Sequence, residues 1–373
     1  MNRFVLFCTV LFAFLAEANE NKVCQACHPA IYAEYYQSSH RNASVYNNPI
    51  HKAMWEKYPK DEKGYTCAKC HSPSDVEALK SGVLTKNDTQ MHEPISCIYC
   101  HTIQDVKEEE NSNTNISSGK TREFYTAQSG KEGSVSFEKQ SSLFGLSTST
   151  KNSPFHKINY DNKNYYNGNV CMGCHSHTNN AHGIDITMLD AKIDEKDKNS
   201  CVSCHMPQVL GSKTTFDEGK THAFHGMAGI HMERKKMAEY IDFKLSKNSN
   251  DFSISIINKS NHALFGQAYR QGVLKAEIKR GKKTIELEPF IFERKFAKDG
   301  KEVSPWEATE VSKDTLVYAK RDVIFNVALQ GGDILTLTLG VKRISEEGAK
   351  ELELKDSSEF TQFRVLKTQN FNF

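Results

Sequence analysis

The sequence predicts an α+β chain: a mostly helical and irregular part over residues 19–238, then an antiparallel β-sandwich of immunoglobulin-like type over residues 239–373. Two observations carry this. Five Cys-x-x-Cys-His motifs fall between Cys24 and His205, and none follows. Beyond Glu239 the texture changes to short runs that alternate apolar and polar with period two, as in Phe252-Ser253-Ile254-Ser255-Ile256 and Ile334-Leu335-Thr336-Leu337-Thr338-Leu339. A length of 373 residues allows two such parts.

The motifs are Cys24-Cys27-His28, Cys67-Cys70-His71, Cys97-Cys100-His101, Cys171-Cys174-His175 and Cys201-Cys204-His205. Each has the form of a covalent c-type haem attachment site. Two thioether bonds need sulfurs presented from one tight turn, which the i, i+3 spacing provides. The following histidine then falls under the ring, where its imidazole can take an axial position on iron. A zinc ribbon pairs Cys-x-x-Cys knuckles but does not require a histidine after each, so five such histidines in five motifs argue for haem c over zinc. The expected cofactor is five covalently attached haems, held by Cys24, Cys27, Cys67, Cys70, Cys97, Cys100, Cys171, Cys174, Cys201 and Cys204, with His28, His71, His101, His175 and His205 as axial ligands.

The N-terminus supports an oxidising, haem-assembling compartment. Arg3 precedes an apolar run from Phe4 to Ala16, and Ala16-Glu17-Ala18 has the form of a cleavage site, so residues 1–18 read as a secretory signal and the protein as periplasmic. No other stretch is long and apolar enough to cross a bilayer. Of 11 cysteines, Cys8 lies in that leader and the motifs use the other ten, which leaves none for a disulfide framework or a catalytic thiol. A net charge of +2 gives no electrostatic case for nucleic acid. The apolar content, 38%, is low for this length and suits a protein whose porphyrins replace part of the side-chain core.

Between the motifs, short helices are expected at Pro29–Ser39, Pro49–Lys57, Pro73–Ser81 and about Gly226–Ala238, the first and third opened by a proline whose missing N–H costs nothing there. The long gap from His101 to Cys171 reads as a solvated insertion. Within it, Arg122–Gln128 and Gly133–Lys139 are expected to pair as a ribbon around Ser129-Gly130. In the C-terminal part, Val273–Lys279 and Thr284–Leu287 flank Arg280-Gly281-Lys282 as a hairpin, and seven or eight short strands are expected in all.

Ten of the 15 histidines lie outside the motifs, enough to give every haem a second imidazole. Met206 follows His205 directly and would sit on the wrong face of its own haem, so it is discounted as a ligand. The chain resembles the multihaem cytochrome c family that includes cytochrome c554 and relatives of the hydroxylamine oxidoreductase haem core. Cys24–Tyr36 followed by Ser38-Ser39-His40 is similar to that family's first motif, aromatic helix and Ser-x-x-His. Ser153-Pro154-Phe155-His156, Ser200–Pro207 and His222-Ala223-Phe224-His225-Gly226 are similar as well, so the resemblance covers about residues 24–235. It implies His40, His156, His222, His231, His92 and His182 as distal iron ligands. His177, two residues after His175, is poorly placed to reach another haem. His262, in the loop Asn258–Gly266, reads as a loop residue without iron contact, the alternative being that this loop returns to cap a haem.

Composition and motifs leave two functional classes open. The first is an electron carrier passing electrons between redox proteins such as a quinol-oxidising membrane cytochrome and a terminal reductase. The second is a reductase or oxidase of a small nitrogen or sulfur compound, which needs one five-coordinate haem. No motif has lysine in place of its histidine, and no tyrosine is identifiable as a haem cross-link, so the specialised marks of the enzymes that the resemblance brings to mind are missing.

Overall fold

The computed structural model describes residues 20–58, 64–84, 93–120, 122–127, 140–141, 148–149, 156–191, 200–215 and 221–373. The leader at 1–18, the ribbon half Gly133–Lys139 and His92 lie outside them. Among the described residues, no helix is long and apolar enough to cross a membrane.

The N-terminal part is built from short helices. Pro29–Tyr36 and Pro49–Lys57 each start at a proline, and Asn48 caps the second by accepting from the His51 N–H. Val76–Ser81 starts later than expected: Asp75, not Pro73, supplies the cap, its side chain accepting from the Ala78 N–H. The helix expected over Gly226–Ala238 is reduced to the single turn Arg234–Met237. Before it, Met227 and Glu233 hold positive φ, which interrupts a helix on both sides of His231.

Of the expected ribbon only the first half is described: Glu123–Tyr125 pairs in parallel with Lys157–Asn159. A parallel pair needs a long crossover rather than a tight turn. The chain between Tyr125 and Lys157 is long enough for one, and the pairing sets His156, just before Lys157, in the haem-motif region.

After Glu239 come eleven strands. They are β1 Ile241–Lys247, β2 Phe252–Asn258, β3 Gln271–Arg280, β4 Lys283–Glu286, β5 Phe290–Phe292, β6 Arg294–Lys298, β7 Lys301–Glu302, β8 Glu310–Asp314, β9 Lys320–Phe325, β10 Ile334–Lys342 and β11 Arg364–Asn372. One antiparallel sheet has the order β9-β2-β1; a second has β4-β3-β10-β11, with β5 also on β3; a third small sheet is β7-β6-β8. The β3–β4 hairpin forms at Arg280-Gly281-Lys282 as the sequence predicts, with Arg280 opposite Lys283. Strand β2 buries alternate residues, Phe252, Ile254 and Ile256, against Leu335, Leu337 and Leu339 of β10 and Leu274 and Ile278 of β3. Two antiparallel sheets therefore share one core, each presenting its period-two apolar face to the other.

A second buried cluster joins the two parts of the chain. Ala53, on the helix Pro49–Lys57, packs with Trp306, Ile344, Ala349, Leu352 and Phe360 from the C-terminal part. Asn180 adds a polar link, its side-chain N–H₂ donating to the carbonyls of Pro305 and Ala308, both at 2.8 Å.

Candidate haem-binding site

Every motif closes one helical turn. The N–H of His28, His71 and His175 donates to the carbonyl of the motif's first cysteine at 2.8, 2.9 and 2.8 Å, and Cys97–His101 and Cys201–His205 are themselves short helices. Ser96 and Ser200 cap those two helices from the residue just before the motif, accepting from the N–H groups of Tyr99 and Ser203. A helical turn places both cysteines and the histidine on one side, which is the geometry two thioethers and one axial bond require.

The five turns face one continuous cavity of about 2820 Å³, lined by all ten motif cysteines and all five motif histidines. A pocket for one small ligand occupies about 300–1,000 Å³, so this space suits several large groups together. The turns also approach one another. Thiols of different motifs meet in pairs, Cys24 with Cys97, Cys70 with Cys174 and Cys171 with Cys201. Cys100 acts electrostatically on both Cys171 and Cys174. All five motifs thus form one connected cluster. Gly168 permits the approach of Cys201: it sits at φ 82°, and a Cβ there would meet the Cβ of Cys201 at 2.6 Å.

Four motif histidines each face another histidine. Ring centres are 6.2 Å apart for His28 and His156, 5.9 Å for His40 and His175, 6.3 Å for His101 and His225, and 6.2 Å for His205 and His262. Two metal–imidazole bonds of about 2 Å, with about 1.1 Å from each nitrogen to its ring centre, put facing imidazoles roughly 6 Å apart. Aromatic pairs at this distance are common in proteins, but here four of five motif histidines find a histidine from elsewhere in the chain.

The tautomers agree. The Nδ1–H of His28, His71, His101 and His205 donates to the carbonyls of Lys213, Ala43, Tyr125 and Ala228 at 2.7, 3.1, 2.7 and 2.6 Å. His225 and His262 donate likewise to Ala223 and Ala263, at 2.7 and 2.9 Å. A carbonyl only accepts, so the proton sits on Nδ1 and the Nε2 lone pair is left for a metal. Burial, reinforced by His205, pushes His40 down to about 4; burial with His101 does the same to His225; and burial with His40 pushes His175 down to about 3. Neutral imidazole is the ligating form.

His71 is different. Its histidine neighbour is His51, stacked on it with ring centres 3.8 Å apart and planes at 10°, too close for an iron between them. His51 Nε2 is hydrogen-bonded to the hydroxyl of Tyr65 at 2.7 Å, and both residues are buried.

The other candidates from the sequence fall elsewhere. His222 is buried, with Nδ1 at 3.0 Å from the Gly211 carbonyl and Nε2 at 2.9 Å from Glu34 Oε1. Both nitrogens are engaged by Gly211 and Glu34, and His225, three residues on, is the one that faces His101. His231 sits among arginines and faces no motif histidine, and His182 is exposed. His177 lies with Asp190 and the Glu109 carbonyl, away from the pairs. His262, read from the sequence as a loop residue without iron contact, is the histidine opposite His205. The Cys-His turn is visible in sequence; which distant loop returns over which turn is not. A choice between two histidines three residues apart, such as His222 against His225, depends on which way the chain leaves the strand Thr221–Ala223.

The residues present fit haem c: cysteine pairs on single turns, four motif histidines with Nε2 left for a metal, four facing imidazoles at the spacing of one metal, and a common cavity large enough for several porphyrins.

Comparison with known proteins agrees. Residues 23–102, which hold the first three motifs, match the model of a family described as cytochrome c554 and c-prime. A penta-heme cytochrome c552 from Thermochromatium tepidum has a similar fold, with a TM-score of 0.68 at 17% identity, covering 94% of this chain and 98% of that one. A superoxide reductase from Nanoarchaeum equitans aligns over 27% of this chain and 79% of its own at 13% identity, but its TM-score of 0.18 carries no argument. No curated protein matches the sequence. With motif turns, cavity and facing histidines in place, the chain is a multihaem c-type cytochrome whose residues 23–102 match the cytochrome c554 family model.

Proposed function

We propose that the protein is a periplasmic pentahaem electron carrier in a respiratory chain, with four haems held between two histidines each. The observation that carries this is the set of four histidine pairs at 5.9–6.3 Å. The residues that would hold these four haems are His28 with His156, His175 with His40, His101 with His225 and His205 with His262. Haem c supplies one-electron Fe(III)/Fe(II) chemistry when bound. The protein's share is to hold each iron's imidazoles through Nδ1–H bonds to fixed carbonyls, so that little moves when the charge changes, and to keep the carriers close. The thiol contacts support a relay from the first motif through the third to the fourth, which is also adjacent to the second and fifth. Its redox partners would be a quinol-oxidising membrane cytochrome and a terminal reductase, met through small transient surfaces. The strand orders β9-β2-β1 and β4-β3-β10-β11 support an immunoglobulin-like reading of the C-terminal sandwich.

A second reading has its own observation. His71 faces no histidine at one-iron spacing, and a haem there with an open side would make the protein a reductase or oxidase of nitrite, hydroxylamine or sulfite, with Tyr65 and His51 as a buried hydrogen-bonding pair beside it. Low-temperature EPR of the ferric holoprotein, with haem quantified, decides between them. Four low-spin haems and one high-spin haem keep both readings and call for a substrate screen. Five low-spin haems leave the carrier alone. Fewer than four low-spin haems reject the proposed pairs.

A further inference from the structure

Where the C-terminal sandwich walls the cavity, the lining is cationic. Arg270, Arg343 and His231 face the cavity, and Arg364 and Arg234 stand close enough to act on His231. One carboxylate opposes them: Glu359 Oε1 lies 3.7 Å from Arg343 Nη1, but its side chain is 68% exposed. The Nε atoms of Arg270 and Arg364 are buried with no hydrogen-bond partner. The Arg343 guanidinium lies 4.9 Å from the centre of the Phe360 ring, which fixes its plane without neutralising it. Burial, reinforced by Arg343, pushes Arg270 down to about 10, and burial pushes His231 down to about 3, so the histidine adds a neutral hydrogen-bonding group to a charged pair.

Burying like charges without a counter-ion is costly, and a guanidinium whose Nε–H meets no acceptor costs more still. The backbone nevertheless holds Arg270 there. It follows Phe265 and Tyr269, two non-glycine residues at positive φ (68° and 62°), in the loop that also carries His262. Such strain persists where the surroundings over-determine it. The loop therefore delivers two groups to the cavity at once, an imidazole opposite His205 and a guanidinium beside it.

We propose that Arg270, Arg343 and His231 form an anion site that takes a carboxylate or a small oxyanion next to the His205–His262 pair. A planar guanidinium fork suits either. The anion has two possible sources, a propionate of the haem at that pair, which rests on the proposed haem assignment, or a free oxyanion entering the cavity.

The test compares wild type, Arg270→Gln and Arg270→Lys as holoproteins, by haem quantification, spectroelectrochemical titration, and calorimetric titration with nitrite and with sulfite. If a propionate fills the site, Arg270→Gln keeps its haems, one midpoint potential falls because a nearby positive charge is gone, Arg270→Lys keeps the wild-type value, and neither anion gives heat. If a free oxyanion fills it, nitrite or sulfite binds wild type one to one and binds Arg270→Gln about tenfold to a hundredfold more weakly, while potentials without added anion stay unchanged. Intact haem content with unmoved potentials and no anion binding in wild type overturns the site. A wild type with fewer than five haems counts against the pentahaem reading instead, and the calorimetric arm still decides the anion site.

Discussion

Glu34 grips His222: its Oε1 lies 2.9 Å from His222 Nε2, while its other oxygen accepts the backbone N–H of His225 at 2.8 Å. One carboxylate on the helix Pro29–Tyr36 thus fixes the strand end from which His225 reaches towards His101. His222, 2% exposed and expected from the sequence as a ligand, has its Nε2 against Glu34, the carboxylate that also holds the backbone of His225.

Exchange at the two positions should therefore separate. His225→Ala should keep five haems and convert one low-spin EPR signal to high-spin. His222→Ala should leave the spin count unchanged and lower stability by about 2 kcal/mol, the order expected for stranding a part-buried carboxylate. A high-spin signal in His222→Ala would return it to the ligand set.

The loop at His262 carries the same kind of claim. His262→Ala should turn the His205 haem high-spin and leave the other three paired haems as they are. An unchanged spectrum and unchanged potentials would remove His262 from the coordination sphere.

At His71, an exogenous strong ligand such as cyanide should bind one haem per chain in wild type. Tyr65→Phe should preserve that stoichiometry, since Tyr65 bonds His51 and not the metal position, while altering the pH dependence of binding. No cyanide complex in wild type would close the open side and with it the enzymatic reading.

The sandwich should respond independently of the haems. Leu337 is fully buried between the two sheets, and Leu337→Ala should cost about 2–5 kcal/mol. Denaturant unfolding followed by tryptophan fluorescence should show that loss, with the haem absorption spectrum of the native protein unchanged.

Asp333 predicts an acid dependence. Its carboxylate accepts from Arg280 Nε at 2.9 Å, Arg280 Nη2 at 2.8 Å and the Gln330 N–H at 2.9 Å. The bond from Arg280 is the main cause that holds its pKa down to about 2. Because the folded value lies below the unfolded value of about 3.9, the stabilisation is complete above about pH 4 and is lost as pH falls towards 2. Melting temperature measured from pH 6 to pH 2 should fall more steeply in wild type than in Asp333→Asn over that interval; parallel curves would refute it.

The sequence by itself determined the attachment chemistry and the character of the C-terminal part. Cys-x-x-Cys-His is local: one helical turn places all three side chains, so five motifs could be read without a fold. The period-two runs of β2 and β10 are local as well, because a strand's two faces are set by alternate residues. The second imidazole is not local. His156 reaches His28 through a parallel pairing that spans the long insertion, and His262 reaches His205 from a loop between strands of the sandwich. His225 rather than His222 faces His101 because a glutamate from a distant helix takes the nearer imidazole. Likewise Arg270 and Arg343 share no sequence motif and meet only when a strained loop and the end of β10 close on the cavity. Only the tertiary structure decided these pairings, because each depends on which distant segment the packing brings over a given turn.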